Sequence, residues 1–378
     1  MYLRDISLVN FKNYEEANLV FSPQINCFTG LNGSGKTNLL DAVHYLCACK
    51  SYFNPIDSQN IRHDAPFLVV QGRFLKDGLD NEVYCGVKPG QRKVFRRNQK
   101  DYDRLADHIG LFPAVVISPY DADLISEGSE ERRKFLDSII SQFNRSYLDD
   151  LIRYNKALMQ RNRLLRAFAL NRYFDEEALV IWDELLIDTG QRIHQARVEF
   201  LHDFNPRLLA LYADISGNQD QIGILYRSEL ENKDFRSLLL DSRERDRYLQ
   251  RTDVGIHRDD LIFSIDGHPL KKFGSQGQQK SYLIALKLAQ FDHIRDLTGT
   301  KPILLLDDIF DKIDDRRVAY LMELVSRHNF GQIFISDTHD DRIPLLFKSV
   351  NAELLTFKVE KGRVIPLIEV ENQVNEGE

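Results

Sequence analysis

The stretch Gly30-Leu-Asn-Gly-Ser-Gly-Lys-Thr37 decides how the rest of the chain is read. It fits G-x-x-x-x-G-K-[ST], the pattern of a phosphate-binding P-loop. The apolar run Ile25–Phe28 precedes it, and Leu39, Val43 and Leu46 fall on one helical face after it. A loop of this kind must stand there, between a strand and a helix. Its glycines let successive backbone N–H groups cup an anion, and a helix start adds the positive end of the macrodipole. Gly30, Leu31, Asn32, Gly33, Ser34 and Gly35, with Lys36, Thr37 and Asn38, are the candidate ATP-binding residues. Lys36 supplies a mobile positive charge, and the Thr37 hydroxyl is placed to ligate Mg²⁺.

A P-loop needs an acidic partner. Ile303-Leu-Leu-Leu-Asp-Asp308 is an apolar strand ending in two carboxylates, at the edge where open α/β sheets bind ligands. Asp307 is the candidate Mg²⁺ residue and Asp308 the candidate for polarising the attacking water; capping or turn aspartates are the plain alternative. Between the two motifs, Ser275-Gln-Gly-Gln278 opens an apolar helix. Alone it reads as a helix cap. With a P-loop and a doubled acidic strand end it resembles the signature of ABC-type ATPases, in which Ser275, Gln276, Gly277 and Gln278 would cap the γ-phosphate on a partner's P-loop. Two identical chains would then pack head to tail about a two-fold axis with ATP at the interface. In the same scheme Asp314 falls in the D-loop. His339 falls where a switch histidine meets the γ-phosphate, or is an ordinary loop histidine.

The composition is that of a globular protein: 378 residues, 43% hydrophobic and 28% charged, enough for one or two domains. No run of eighteen apolar residues exists, so a transmembrane helix is not expected. The N-terminus alternates like a strand and lacks the apolar centre of a signal peptide. Cys27, Cys47, Cys49 and Cys85 lie in apolar or strand-like surroundings and read as buried free thiols of a cytoplasmic protein. The net charge of −7 argues weakly against a polyanion partner, because screening makes local clusters decide. Three basic clusters exist: Arg92 to Lys100; Arg153, Lys156, Arg161, Arg163, Arg166 and Arg172; and Arg243 to Arg251.

Hydrophobic periodicity places strands near Leu3–Leu8, Ala17–Phe21 and Ile25–Phe28, then Phe67–Phe74, Glu82–Val87, Lys93–Arg97 and Val115–Ser118. From Ser129 to Tyr212 the pattern is helical, with Leu151, Leu158 and Leu165 recurring every seven residues. Strand character returns at Gln221–Tyr226, Leu261–Ile265, Gln332–Ser336, Leu354–Val359 and Arg363–Val370. The expected fold is an α/β ABC-type P-loop ATPase head, a mixed sheet with flanking helices, carrying an inserted, mainly helical second lobe. The expected division is residues 1–118 and 246–378 for the head and 119–245 for the lobe. His257-Arg-Asp-Asp-Leu261 mimics a kinase catalytic loop, but the Gly-rich loop, strand lysine and D-F-G segment of a kinase are missing.

Further motifs resemble one family, the bacterial RecF proteins, ABC/SMC-like ATPases. They are Phe11-Lys-Asn-Tyr14; the extended Gly-Lys-Thr-Asn-Leu-Leu-Asp41; Ser118-Pro-Tyr-Asp-Ala-Asp-Leu124; Glu131-Arg-Arg-Lys-Phe-Leu-Asp137; Gly255-Ile-His-Arg-Asp-Asp-Leu261; and Ser275-Gln-Gly-Gln-Gln-Lys280. Ile256 stands where the family has Pro, and Ser51-Tyr-Phe-Asn54 replaces S-[FY]-R, which leaves open the basic contact expected at position 54. The resemblance implies an ATP-dependent homodimer that binds double-stranded DNA near single-strand gaps, hydrolyses ATP slowly and helps load RecA with RecO and RecR in gap repair and the SOS response.

For DNA, Arg153, Lys156 and Arg163 share one side of a helix and could track phosphates, or form a solvated face. Arg132, Arg133 and Lys134 read as either structural or nucleotide-responsive. Two other functions stay open: the nucleotide subunit of a membrane transporter, which would need a Leu-Ser-Gly-Gly-Gln signature, and an ATP-dependent scaffold with negligible turnover.

Overall fold

The computed structural model describes residues 1–217, 220–309, 330–347 and 352–367. The chain forms two compact units, Met1–Pro119 with Gly299–Glu378, and Tyr120–Thr298.

The first unit holds two sheets. β1 (Tyr2–Phe11), β2 (Tyr14–Val20), β4 (Leu68–Lys76), β5 (Leu79–Val87), β6 (Val94–Arg97) and β7 (Lys100–Asp101) form an antiparallel sheet in the order β2-β1-β4-β5-β6-β7. Its strands bury one face: along β1, Leu3, Ile6, Leu8 and Phe11 point inward while Ser7 and Val9 are half-exposed, the alternation expected of a sheet with one wet side. The second sheet contains β3 (Ile25–Thr29), β8 (Ala114–Ile117), β12 (Ile303–Leu306), β13 (Ile333–Asp337), β14 (Leu354–Glu360) and β15 (Arg363–Leu367), ordered β15-β14-β3-β13-β12-β8. From β14 to β8 its pairings are parallel, and β3, β8, β12 and β13 are buried along their whole lengths.

Helix α1 (Lys36–Ala48) packs against both sheets, touching β13 of one and β4 of the other. This explains a difference from the sequence reading. Leu39, Val43 and Leu46 are buried as expected, but so are Leu40, Ala42, Tyr45 and Cys47, because the helix has apolar neighbours on two sides. Gln332 ties the sheets together: its amide accepts from Leu3 N at 2.8 Å and donates to the carbonyls of Leu3 and Ser22 at 2.8 Å. All four cysteines are free and buried, and burial pushes the Cys85 thiol up to about 12.

The second unit is built on α2 (Ser129–Phe143), α3 (Arg145–Asn171), α4 (Glu177–Ser216) and α5 (Gln276–Thr298), with β9 (Ile222–Arg227), β10 (Asp260–Ile265) and β11 (His268–Pro269) as an antiparallel sheet in the order β11-β10-β9. Helices α3 and α4 form a hairpin, about 40 and 60 Å long at 1.5 Å rise per residue. The expected heptad is offset. Leu165 is buried, but Leu151 and Leu158 are only partly so; the buried stripe is Tyr147, Asp150, Tyr154, Ala157, Arg161 and Leu165. Charged residues that periodicity assigns to the surface occupy the stripe because they are paired: Arg161 with the buried Asp183 and Asp246, and Asp150 with the half-exposed Arg192.

The unit boundary also differs from the sequence division. Residues 246–298, expected with the head, belong to the same unit as the helical hairpin. The physical reason is pairing: β10 completes the sheet started by β9, and α5 packs along α4. Among the described residues no helix is long and apolar enough to cross a membrane.

Candidate nucleotide site

The carboxyl edge of the parallel sheet assembles the site. The P-loop follows β3, Asp307 and Asp308 follow β12, and His339 follows β13. Register brings them together: Asp337 pairs with Thr29, and Leu306 with Ile335. The amide of Gly30 donates to the Asp337 carbonyl at 3.3 Å.

The P-loop backbone has a shape that side chains would obstruct. Gly30 has φ +149° and Gly35 has φ +122°, both in the region that favours glycine. A Cβ at Gly30 would lie 2.3 Å from the Val359 carbonyl oxygen, and one at Gly35 would lie 2.5 Å from Asn13 Nδ2. The next residue, Lys36, starts α1. Its ammonium is buried and curls back to donate to the carbonyls of Gly30 at 2.8 Å and Leu31 at 3.2 Å. The Ser34 hydroxyl is buried inside the loop without a hydrogen-bond partner among the described residues. A cradle of this curvature, with a buried lysine and an unmatched buried hydroxyl, fits a polyphosphate.

Thr37 and Asp307 meet as the sequence requires. Thr37 Oγ1 donates to Asp307 Oδ1 at 2.8 Å, and Ser336 Oγ donates to the same oxygen at 2.8 Å. Burial, reinforced by the neighbouring Asp308, pushes the Asp307 carboxyl above its ordinary range, while the two hydroxyl bonds oppose the shift. A hydroxyl and a buried carboxylate are hard oxygen donors of the kind Mg²⁺ takes, so the pair fits the expected ion. Asp308 has φ +46°, an unusual conformation for a side-chain-bearing residue. Its N–H donates to Ser336 Oγ at 2.9 Å, which fixes the strand end. His339 is 60% exposed; its N–H donates to Asp337 Oδ1 at 2.7 Å, and its ring lies 3.0 Å from Thr338 Oγ1. Leu31 and Asn32 are exposed on the loop, and Asn38 turns its amide to Asn13. Asp314 lies outside the described residues.

The other candidates belong to the second unit. Ser275 and Gln278 form a reciprocal capping box: Ser275 N donates to Gln278 Oε1 at 2.8 Å, and Gln278 N to Ser275 Oγ at 3.2 Å. Gln278 is further held by Asp220 at 2.9 Å. The cap reading is therefore correct locally, and it leaves Ser275 and Gln276 exposed at the helix start.

The basic clusters separate into two kinds. In α3, Arg161 is wholly buried, bound to Asp183 and Asp246 at 2.6 Å and to Thr252 Oγ1 at 2.9 Å. Lys156 and Arg163 are exposed, and neither joins an ion pair among the described residues; Arg153 lies 3.9 Å from Asp150, which Arg192 already holds. In the first cluster Lys93 binds Asp57 at 2.8 Å and Arg96 binds Asp101 at 2.8 Å; in the third, Arg245 binds Asp253 at 2.8 Å.

Sequence reasoning missed a buried charge lattice. Arg197 donates to Asp259 and Asp137 at 2.8 Å and to the Ile256 carbonyl at 2.9 Å. Arg132 holds Asp260 through two bonds of 2.8 and 3.2 Å, and Arg133 donates to the Asp259 carbonyl at 2.7 Å. Arg132 and Arg133 are thus tied to Asp260 and Asp259, and the kinase-like His-Arg-Asp-Asp is half of that lattice. The signal was present in the two charged motifs, but not their pairing. A smaller hub joins three motifs at the buried Asp41, which accepts from Lys12 at 2.5 Å, Ser51 at 2.6 Å and Tyr52 N at 2.7 Å.

Comparison with known proteins agrees with this geometry. The RecF/RecN/SMC N terminal domain matches residues 2–345. The chain is 50% identical to the DNA replication and repair protein RecF of Flavobacterium johnsoniae over 95% of this chain and 99% of that protein. It is also 50% identical to the RecF of Phocaeicola vulgatus, covering 96% of this chain and 98% of that protein. A solved structure of the recombination mediator protein RecF with ATP, in the RecFOR pathway, superimposes with a TM-score of 0.88 at 30% identity, covering 97% of this chain and 98% of that one. An Smc head domain from Pyrococcus furiosus, at 17% identity and a TM-score of 0.56 over 97% of this chain and 96% of that one, shares the fold. On the length and level of this identity, the chain belongs to the RecF family.

Proposed function

We propose that this chain is a cytoplasmic DNA-repair ATPase that dimerises on ATP, binds double-stranded DNA near gaps and, with RecO and RecR, helps load RecA. The observation that carries the nucleotide part is the 2.8 Å contact of Thr37 Oγ1 with Asp307 Oδ1 beside a curled P-loop. Gly30 to Asn38 bind the triphosphate, and Lys36 exchanges its two carbonyl partners for phosphate oxygens. Thr37 and Asp307 hold Mg²⁺, which when bound supplies positive charge against the phosphate oxygens. Asp308 orients and polarises the attacking water. Ser275 to Gln278 of the partner subunit close the site over the γ-phosphate, with Asp314 at the interface and His339 sensing the γ-phosphate. Loss of that phosphate removes contacts made only in the dimer and favours separation. Turnover is slow and acts as a timer. The exposed face of Arg153, Lys156 and Arg163 supplies phosphate contacts to DNA.

The test is phosphate release by the parent and by Asp308→Asn, with ATP binding measured in parallel. Mg²⁺-dependent release that falls about a hundredfold in the variant, with binding retained, is expected. Equal rates would refute the role of Asp308 and leave a nucleotide-dependent scaffold.

A further inference from the structure

Two turns grip the outside of the P-loop. From the β1–β2 turn, Asn13 Nδ2 donates to the Ser34 carbonyl at 3.0 Å, and from the first residue of β2 the Tyr14 hydroxyl donates to the Gly35 carbonyl at 2.9 Å. From the β14–β15 turn, the Gly362 N–H donates to the same Ser34 carbonyl at 3.1 Å. The turns also touch each other, since a Cβ at Gly362 would lie 2.6 Å from the Asn13 carbonyl oxygen. Asn38 Nδ2, from the first turn of α1, donates to Asn13 Oδ1 at 2.7 Å and so sets which end of the Asn13 amide faces Ser34.

The geometry of a trans peptide gives these bonds a consequence. The carbonyl of one residue and the N–H of the next lie in one plane and point in opposite directions. A donor that holds the Ser34 carbonyl outward therefore aims the Gly35 N–H inward. The Gly35 carbonyl accepts from Asn38 N at 3.0 Å and Leu39 N at 3.2 Å in the first turn of α1, so the helix start sets the Gly35–Lys36 plane and the Tyr14 hydroxyl adds a third donor to it. The Gly35 and Lys36 N–H groups are amides of the anion cradle. The absence of a side chain at position 35 belongs to the same device: a Cβ there would meet Asn13 Nδ2 at 2.5 Å and the Tyr14 hydroxyl at 2.7 Å. Left to itself, a glycine-rich loop can rotate the Ser34–Gly35 plane, because glycine reaches both halves of backbone space.

We infer that Asn13 and Gly362 are positioning residues that lock the Ser34–Gly35 peptide plane with its N–H toward the polyphosphate, and that Tyr14 reinforces the next plane, which the start of α1 already sets. The inference rests on the nucleotide reading of the P-loop and adds the chain segments that pre-organise it. Pre-organisation lowers the cost of ordering the loop on binding, so its loss weakens phosphate affinity without removing a phosphate contact.

The experiment uses the full chain and three variants, Tyr14→Phe, Asn13→Asp and Gly362→Ala. Binding of MgATP is measured by calorimetry, and tripolyphosphate, which has no base or sugar, is measured by competition. Asn13→Asp is expected to lose affinity about tenfold, as a lost hydrogen bond predicts, and Tyr14→Phe less, each by the same factor for both ligands while the thermal midpoint of the free protein stays near that of the parent. Gly362→Ala keeps its N–H but pushes the donating turn away, since its Cβ would meet the Asn13 carbonyl oxygen at 2.6 Å, and is expected to lose affinity for both ligands together with some stability. Parent-like affinity for both ligands in Tyr14→Phe and Asn13→Asp overturns the inference and leaves the nucleotide reading intact. A loss for MgATP alone also overturns it, by placing the residues against the base or sugar. Failure of the parent to bind MgATP refutes the nucleotide reading itself.

Discussion

Two arginines two residues apart on α3 make opposite predictions. Arg161→Ala removes a buried guanidinium that binds Asp183 and Asp246 at 2.6 Å and Thr252 at 2.9 Å. The carboxylates it leaves are themselves buried. Breaking such a pair from one side costs about 3–5 kcal/mol, most of it the uncompensated charge. For a unit of this size, each kcal/mol moves the thermal midpoint by about 2–4 °C, so a drop of roughly 10 °C is expected in a calorimetric scan. The variant should also respond to acid. Burial already raises the Asp246 carboxyl above its ordinary value of 3.8. A carboxyl raised in the fold adds stability below its unfolded pKa and loses it as pH rises through the folded one. Removing Arg161 raises it further, so acidification from neutral pH towards 4 should recover part of the lost stability. Arg163→Ala, on the exposed face, should change stability by less than about 0.5 kcal/mol and instead reduce the salt slope of DNA binding by about 0.9. An Arg161→Ala protein as stable as the parent would show that the buried ion pairs do not hold this unit together, and an unchanged salt slope in Arg163→Ala would remove that residue from the DNA surface.

Burial holds the imidazole of His108 down to about 4 from 6.5, while its Nε2 bonds the Leu46 carbonyl at 2.7 Å and its Nδ1 bonds Tyr102 at 2.9 Å. A histidine depressed in the fold contributes stability above pH 6.5 that is lost as pH falls through 4, about 3 kcal/mol over the full window; His108→Gln should flatten this acid dependence in a thermal series, and an unchanged profile would count against it. Gly35→Ala should abolish MgATP binding measured by calorimetry, because its Cβ meets Asn13 and Tyr14 and its φ of +122° is strained for a side chain; parent-like binding would show that the loop adapts.

Much of the first unit was legible because its signals are local. The P-loop, the apolar strand before Asp307 and Asp308, and the alternating β1 and β4 each carry their own pattern, and β3, β12 and β13 lie close to where periodicity put them. The pairing of Thr37 with Asp307, 270 residues away, was legible only through chemistry, since each motif implies the other. What escaped was governed by partners distant in sequence. Arg161 looks like a surface charge until Asp183 and Asp246 are seen around it, and Arg197 stood in no basic cluster although it anchors Asp137 and Asp259. The second unit extends to Thr298 because α5 packs on α4 and β10 pairs with β9; nothing in the composition of residues 246–298 marks that attachment. Ser275 illustrates a third case: its capping geometry is complete within one chain, and a role toward a partner's nucleotide leaves no trace there.

Mass in solution is the direct test of that role. Light scattering would be recorded with and without ATP and Mg²⁺ for the parent, Asp308→Asn and Ser275→Arg. Monomers without ATP, a dimer with ATP that persists in Asp308→Asn, and no dimer in Ser275→Arg are expected. Monomers in every condition, including Asp308→Asn saturated with MgATP, would contradict an ATP-driven dimer and reduce Ser275-Gln-Gly-Gln278 to a helix cap.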